Sequence, residues 1–317
     1  MMSSGAEIDK MSCCASCGIA GGDDVKLKDC SACKLVKYCG IECQKRHRPK
    51  HKKECKKRAA ELRDEILFKQ PESNHHGDCP ICCLPLSLDQ DNHLFLACCG
   101  KVICFGCDYA NAMRELEGRL GHKCPFCRYA MLISDEEGKR ILMKRVEAND
   151  PASVGQMGYH RSKAGDHSGA LKYFTKAAEL GGVDAHYNLS VMYGEGLGVK
   201  KDEKKRVYHL EEAAIGGHAY ARHNLGYLED CRGRMDRAVK HMIIAANMGL
   251  DKSLENVKMA YRKGLVSKDD FASTLRAHQA AVDATKSPQR EEAAAARKRF
   301  QDGNGCSQEK TLTPLPN

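Results

Sequence analysis

Residues 14–55 read CASCGIAGGDDVKLKDCSACKLVKYCGIECQKRHRPKHKKEC, and the cysteines in this stretch decide what kind of domain it can form. Written as spacing, the stretch is Cys14-x2-Cys17-x12-Cys30-x2-Cys33-x5-Cys39-x3-Cys43-x7-His51-x3-Cys55. Two cysteines separated by two residues chelate one metal through a tight turn, whereas a disulfide closes so short a loop only under strain. Eight sulfur and imidazole donors divide into two tetrahedral sets, which is what structural zinc requires. Cys39 and Cys43 are four residues apart, as are His51 and Cys55, a spacing that places two side chains on one face of a helix.

Working outward, the same chemistry continues to residue 127. Of 19 cysteines, seventeen lie between Cys13 and Cys127, and only Cys231 and Cys306 follow. A composition step of that size marks a domain boundary, and 317 residues leave room for about two or three domains. The opening MMSSGAEIDK has no apolar run behind a basic region, and no segment approaches the length of a membrane span. A reducing cytoplasmic or nuclear setting is therefore expected, where paired cysteines mean metal more often than disulfide. The net charge of +9 is concentrated in Lys45–Arg58, with nine Lys or Arg against one Glu. Aromatic residues do not interleave with these charges, so base stacking is not signalled. A solvated helix face whose cations offset thiolate charge is preferred to a nucleic-acid surface.

The first array resembles the MYND zinc finger at all eight ligand positions and at the Tyr38-Cys39 and Cys43-Gln44 steps. The resemblance implies a module over 13–58 with interleaved pairs. Cys14, Cys17, Cys39 and Cys43 would hold one zinc, and Cys30, Cys33, His51 and Cys55 the other, with Cys13 spare unless the register slips. It also implies docking of short, often proline-containing peptides from partner proteins, without chemistry of its own. Family members often carry Trp beside the first His of the helix; here Arg48 follows His47, which changes the surface. His47 is expected to face solvent.

A helical stretch around Leu62 to Phe68 and the breaker-rich QPESNHHG form a connection over 59–77. Then come CPICCLPL, LACCGKVICFGC and CPFCR, four cysteine clusters suited to a cross-braced module with two zinc ions. In it Cys79, Cys82, Cys104 and Cys107 hold one ion, and Cys124 and Cys127 help hold the second. The segment resembles a RING domain over 78–131, but Lys101 follows Cys99-Gly100 where that family has His. Lysine is protonated at neutral pH and is no ordinary zinc ligand. Cys98 and Cys99 are the substitutes, although vicinal ligands on one ion are awkward; His93 and His122 stand in reserve. The RING resemblance implies ubiquitin ligation. Ile81 in the first zinc loop, and Pro125 and Phe126 in the second, would touch a ubiquitin-conjugating enzyme. Arg128, directly after Cys127, would restrain ubiquitin through several hydrogen bonds. The helix between Cys107 and Cys124 lacks the Trp often used in that contact.

From residue 150 the texture becomes repetitive. QMGY (Gln156 to Tyr159) aligns with NLSV (Asn188 to Val191) and NLGY (Asn224 to Tyr227), and each is followed by an Ala-Ala segment and a glycine. Ala177, Ala213 and Ala245 recur at intervals of 36 and 32 residues. The unit HYNLSVMYGEGLGVKKDEKKRVYHLEEAAIGG resembles a Sel-1-like repeat, a relative of the tetratricopeptide repeat. The resemblance implies a curved solenoid of helix pairs over 150–262 that scaffolds proteins. Helices are expected over 263–302, with Phe271, Leu275 and Val282 packing on the last repeat and REEAAAARKRF forming a polar helix. Residues 1–12 and 303–317 read as disordered.

The expected fold class is thus multidomain: two small zinc-stabilised modules, MYND and RING-like, followed by an all-α helical-repeat solenoid. About four zinc ions, two per module, are expected. Two functions follow. One is a ubiquitin ligase that meets the conjugating enzyme and ubiquitin through the RING, and substrates through MYND and repeats. The other is a non-enzymatic adaptor whose zinc modules only dock proteins. Within the repeats there is no set of nucleophile, base and orienting residue.

Overall fold

The computed structural model describes residues 13–131 and 134–307; the expectations for 1–12 and 308–317 lie outside the described residues, as do the side chains of 135 and 303–307. The chain divides into two compact units between Lys69 and Gln70.

The first unit has little regular structure ahead of one long helix. Strands β1 (Lys28–Asp29) and β2 (Lys37–Tyr38) pair antiparallel and lead into α1 (Ile41–Leu67). Its core is Cys14, Cys30, Cys33, Tyr38 and Cys43, with Leu27 and Val36 alongside. A core built so largely of thiols has little apolar surface to bury, so metal ligation must supply what burial does not. Cys39 is not on the helix, contrary to the reading of its spacing. Gly40 is the extended N-cap, and only Cys43, His51 and Cys55 are helical.

The second unit joins the second cysteine array to the repeats, so the composition step near residue 127 is not a boundary of the fold. Strands β3 (His93–Leu96) and β4 (Lys101–Cys104) form an antiparallel hairpin, followed by α2 (Phe105–Glu117). Leu86, Leu96 and Ile103 are buried with Cys79, Cys104, Cys107 and Cys124. Phe95 reaches the core of the first repeats and Leu88 packs near Ala219, Ala245 and Leu250, which fixes the hairpin to the helices.

The helices run α3 (Asp135–Glu147), α4 (Pro151–Lys163), α5 (His167–Glu179), α6 (Val183–Glu195), α7 (Glu203–Ile215), α8 (Ala219–Cys231), α9 (Met235–Asn247), α10 (Asp251–Arg262), α11 (Lys268–Ala284) and α12 (Pro288–Ser307). Helices α4/α5, α6/α7 and α8/α9 are the three pairs, each packed on the next. The repeated residues explain the repeated geometry. Leu189, Leu225, Ala177, Ala213 and Ala245 are all buried. After each second helix a glycine (Gly181, Gly217, Gly249) adopts positive φ, and the next N–H bonds back to the carbonyl of Ala177, Ala213 or Ala245. That is a Schellman stop, written three times. Helix α3 covers the exposed side of α4 with Leu142 and Val146, a helix that lies between the sequence-derived domains.

Two expectations fail at the C-terminal end. Phe271 packs on the last repeat, but Leu275 is exposed. Helix α12 is not a free polar helix: it packs on α2, Ala293 is fully buried, and its backbone continues through 303–307.

Candidate metal centres and docking faces

One local device recurs at four of the five Cys-x2-Cys pairs. After Cys17, Cys33, Cys82 and Cys127 comes a residue with positive φ: Gly18, Lys34, Cys83 and Arg128. Its N–H bonds back to the carbonyl of Cys14, Cys30, Cys79 or Cys124 at 2.8–3.0 Å. The turn exposes both sulfurs on one side. Three of the four residues carry a Cβ in a region that costs side-chain residues about 1 kcal/mol or more, so something else must hold the turn. The fifth pair differs: Cys104 is the N-cap of α2, and its sulfur accepts the Cys107 N–H at 3.4 Å.

The turns bring the donors into four sets: Cys14/Cys17/Cys39/Cys43, Cys30/Cys33/His51/Cys55, Cys79/Cys82/Cys104/Cys107 and Cys98/Cys99/Cys124/Cys127. In both modules the first and third clusters meet, as do the second and fourth. Four thiolates at about 2.3 Å from one zinc lie about 3.8 Å apart. The Cys17–Cys39, Cys39–Cys43, Cys30–Cys55, Cys82–Cys104 and Cys99–Cys124 sulfurs lie 3.6, 3.5, 3.7, 3.8 and 3.8 Å apart, and His51 Nε2 is 3.1 Å from Cys33 Sγ. All described cysteines are free thiols. The donor sets fit tetrahedral zinc, and the chain binds Zn2+.

Ionisation points the same way. Burial alone would raise the Cys14 and Cys30 thiols, but backbone N–H groups of Cys39, Cys17 and Ser16 at the first, and of Cys33 and Ala32 at the second, bring each to about 6. Their neighbours then ionise reluctantly. Sharing a proton with Cys43 and Cys17 pushes Cys39 to about 12, and burial with the adjacent Cys30 does the same to Cys55. Thiols crowded this way all become anionic only around a cation.

The vicinal pair is accommodated by a turn. Cys99 and Gly100 both donate to the Leu96 carbonyl, at 3.1 and 2.7 Å, and Gly100 takes positive φ between β3 and β4. The reserve candidates lie elsewhere: His93 meets His76 edge-on, and His122 lies 4.0 Å from Asp108. His47 does not simply face solvent. Its Nδ1 lies 3.0 Å from the Tyr38 hydroxyl, and its ring stacks on His51 at 5.5 Å, orienting a ligand.

On the second module Ile81 and Phe126 are exposed, at 41% and 36%, and Pro125 is half-buried. Lys101 Nζ sits 5.8 Å from the centre of the Phe126 ring. Arg128 lies 3.5 Å from Glu115, a fully buried carboxylate on α2. Glu115 also accepts the Lys123 N–H at 2.7 Å and Asn111 Nδ2 at 3.3 Å, which ties the second zinc loop to the helix.

A fifth group, His75, Asp184 and His218, is a polar contact between elements rather than a metal centre. His75 and His218 approach one Asp184 oxygen at 2.9 and 3.6 Å, but their rings are stacked 4.1 Å apart and nearly parallel. Parallel imidazoles cannot both aim in-plane lone pairs at one ion. His218 Nδ1 already accepts the Ala221 N–H, which leaves its proton on Nε2.

Comparison with known proteins identifies the first finger and the helical repeats. The MYND finger family matches residues 14–55, and the Sel1 repeat family matches 154–182, 183–218 and 219–250. DAP3-binding cell death enhancer 1 of Mus musculus is 25% identical over 196 residues, covering 49% of this chain and 38% of its own length. SET domain and MYND-type zinc finger protein 6 of Schizosaccharomyces pombe is 37% identical over 60 residues, 19% of this chain and 12% of its own. The chain thus spans well under half the length of these relatives. A Sel1 repeat protein from Oxalobacter formigenes aligns over 56% of this chain and 73% of its own, at TM-score 0.41 and 22% identity. Among the described residues no helix is long and apolar enough to cross a membrane. The chain carries a zinc-binding MYND finger and three Sel1 repeats, both protein-interaction modules.

Proposed function

We propose that the chain is a RING-type ubiquitin ligase of the cytoplasm or nucleus, with MYND finger and repeats holding substrates or partners. Four zinc ions, one in each of the four donor sets, would hold the loops of both modules in place. The reading is carried by one observation: the second array has the cross-braced ligand order and keeps Ile81 and Phe126, one on each zinc loop, open to solvent. Such paired apolar tips, with half-buried Pro125 between the last ligands, suit docking a conjugating enzyme. The protein would then do no covalent chemistry, only hold the charged conjugating enzyme near an acceptor.

A purified, zinc-loaded chain assayed for autoubiquitination with a panel of conjugating enzymes tests this. Chains that disappear with Ile81→Ala are expected; no chains with any enzyme of the panel would overturn the ligase reading. A second reading, a non-enzymatic adaptor, draws on the Arg128–Glu115 pair. An arginine engaged by its own helix is less available to ubiquitin. If autoubiquitination proceeds unchanged in Arg128→Ala, the role assigned to Arg128 is wrong although the ligase reading stands.

A further inference from the structure

Beside the Cys30/Cys33/His51/Cys55 set, the MYND module carries a groove of about 520 Å³. Its floor is apolar, formed by Tyr38, Ile41 and Ala59, and Ile41 is 70% exposed. One rim is a row of cations: Lys45, Arg48, Lys52 and Lys56. Steps of three, four and four residues keep them on one face of α1, along about 16 Å of helix. Lys45 is paired with Glu42 at 3.0 Å, whereas Arg48, Lys52 and Lys56 have no carboxylate partner among the described residues. No Asp or Glu lines the groove, and Glu54 is two residues from Lys52, on the opposite face of the helix.

Compensation of thiolate charge does not account for this row. Three thiolates and a neutral imidazole around Zn2+ leave one net negative charge, fewer than the cations on the rim. The excess faces a cavity with an apolar floor.

We propose that this groove takes an acidic peptide, in which an apolar side chain enters against Ile41 and flanking Asp or Glu residues pair with Arg48, Lys52 and Lys56. Charge complementarity selects the partner, and the apolar floor fixes its register. A nucleic acid fits less well. The two aromatic rings of the groove, Tyr38 and His51, are both buried, so bases find no face to stack on, and the cations form a single row. The inference rests on the reading of the MYND finger as a peptide-docking module and names the chemistry of its ligand, which the chain's Arg48 sets.

A peptide array probed with the full zinc-loaded chain, followed by fluorescence anisotropy, tests it. Three peptide sets are compared: an apolar residue flanked by Asp/Glu, the same residue flanked by Gly/Ser, and neutral proline-containing peptides. A single-stranded oligonucleotide of matching charge is the fourth probe. The acidic set should bind, should weaken roughly tenfold in Arg48→Glu/Lys52→Glu, and should weaken as salt rises. Ile41→Ser should lower affinity for the acidic set with the zinc count unchanged, which shows the module still folded. Equal binding of neutral and acidic sets would overturn the acidic selection while leaving the docking reading in place. Failure of all peptides to bind would overturn both. Tighter binding of the oligonucleotide, in competition with the acidic set, would overturn the peptide assignment.

Discussion

Arg290 Nη2 lies 3.3 Å from Cys82 Sγ, although 208 residues separate them. The same guanidinium donates to the carbonyls of Leu84, Pro85 and Thr285, at 3.1, 2.7 and 2.8 Å. Burial would raise the Cys82 thiol, but the Leu84 N–H and Arg290 bring it down to about 7. The C-terminal helix therefore completes the shell around one donor set of the second module. Arg290→Met should speed zinc loss from that set to a competing chelator several-fold, with release from the MYND finger unchanged and partial rescue in Arg290→Lys. Equal release rates in the substituted and unaltered proteins would contradict this shared shell.

Helix α12 can lie this close because Gly106 has no side chain. A Cβ there would sit 2.9 Å from Arg290 Cα, a backbone atom that cannot swing aside. Gly106→Ala should lift α12 from α2, at a cost of about 1–3 kcal/mol, and open α12 to limited proteolysis. Unchanged cleavage kinetics would show that the contact is looser than described.

Glu115 offers a separate test of the second zinc loop. Glu115→Ala leaves the half-buried Lys123 N–H without its acceptor and should destabilise the loop by about 1–3 kcal/mol. Hydrogen exchange at Lys123 is the direct readout. Protection that survives the substitution would mean another group fixes the loop.

The polar contact at Asp184 makes a prediction about pH. Burial, reinforced by His75, holds His218 to about 3, whereas the unfolded chain takes up that proton near 6.5. The unfolded state then binds more protons below 6.5, so the contribution is whole above that pH and is lost as pH falls. Between pH 7.5 and pH 5 the loss is about 2 kcal/mol. His218→Asn keeps an N-cap residue and removes the titration, so its stability should fall less steeply over that interval. Metal loss on acidification is common to both proteins and cancels in the comparison; identical slopes would contradict the assignment.

Legibility in the sequence follows local geometry. The Cys-x2-Cys pairs, the helical His51 and Cys55, and the Ala-Ala-glycine stops at Ala177, Ala213 and Ala245 each act within a few residues, so spacing alone exposes them. The vicinal Cys98 and Cys99 look awkward in sequence because the turn at Gly100 that reconciles them has no spacing signature. The spacing also misplaces His47 in solvent, since its partner Tyr38 lies across the β2–α1 turn. Helix α12 reads as solvated because its packing face is alanine, which carries little hydrophobic pattern, and Arg290 looks like any surface arginine until Cys82 is beside it. Helix α3 has only Leu142 and Val146, two core residues four apart, to announce it.

The most direct test of the account is native mass spectrometry of the full chain, purified without chelator and then treated with graded chelator. Four bound zinc ions are predicted, with loss from both modules as chelator rises. Two ions would contradict two interleaved zinc modules.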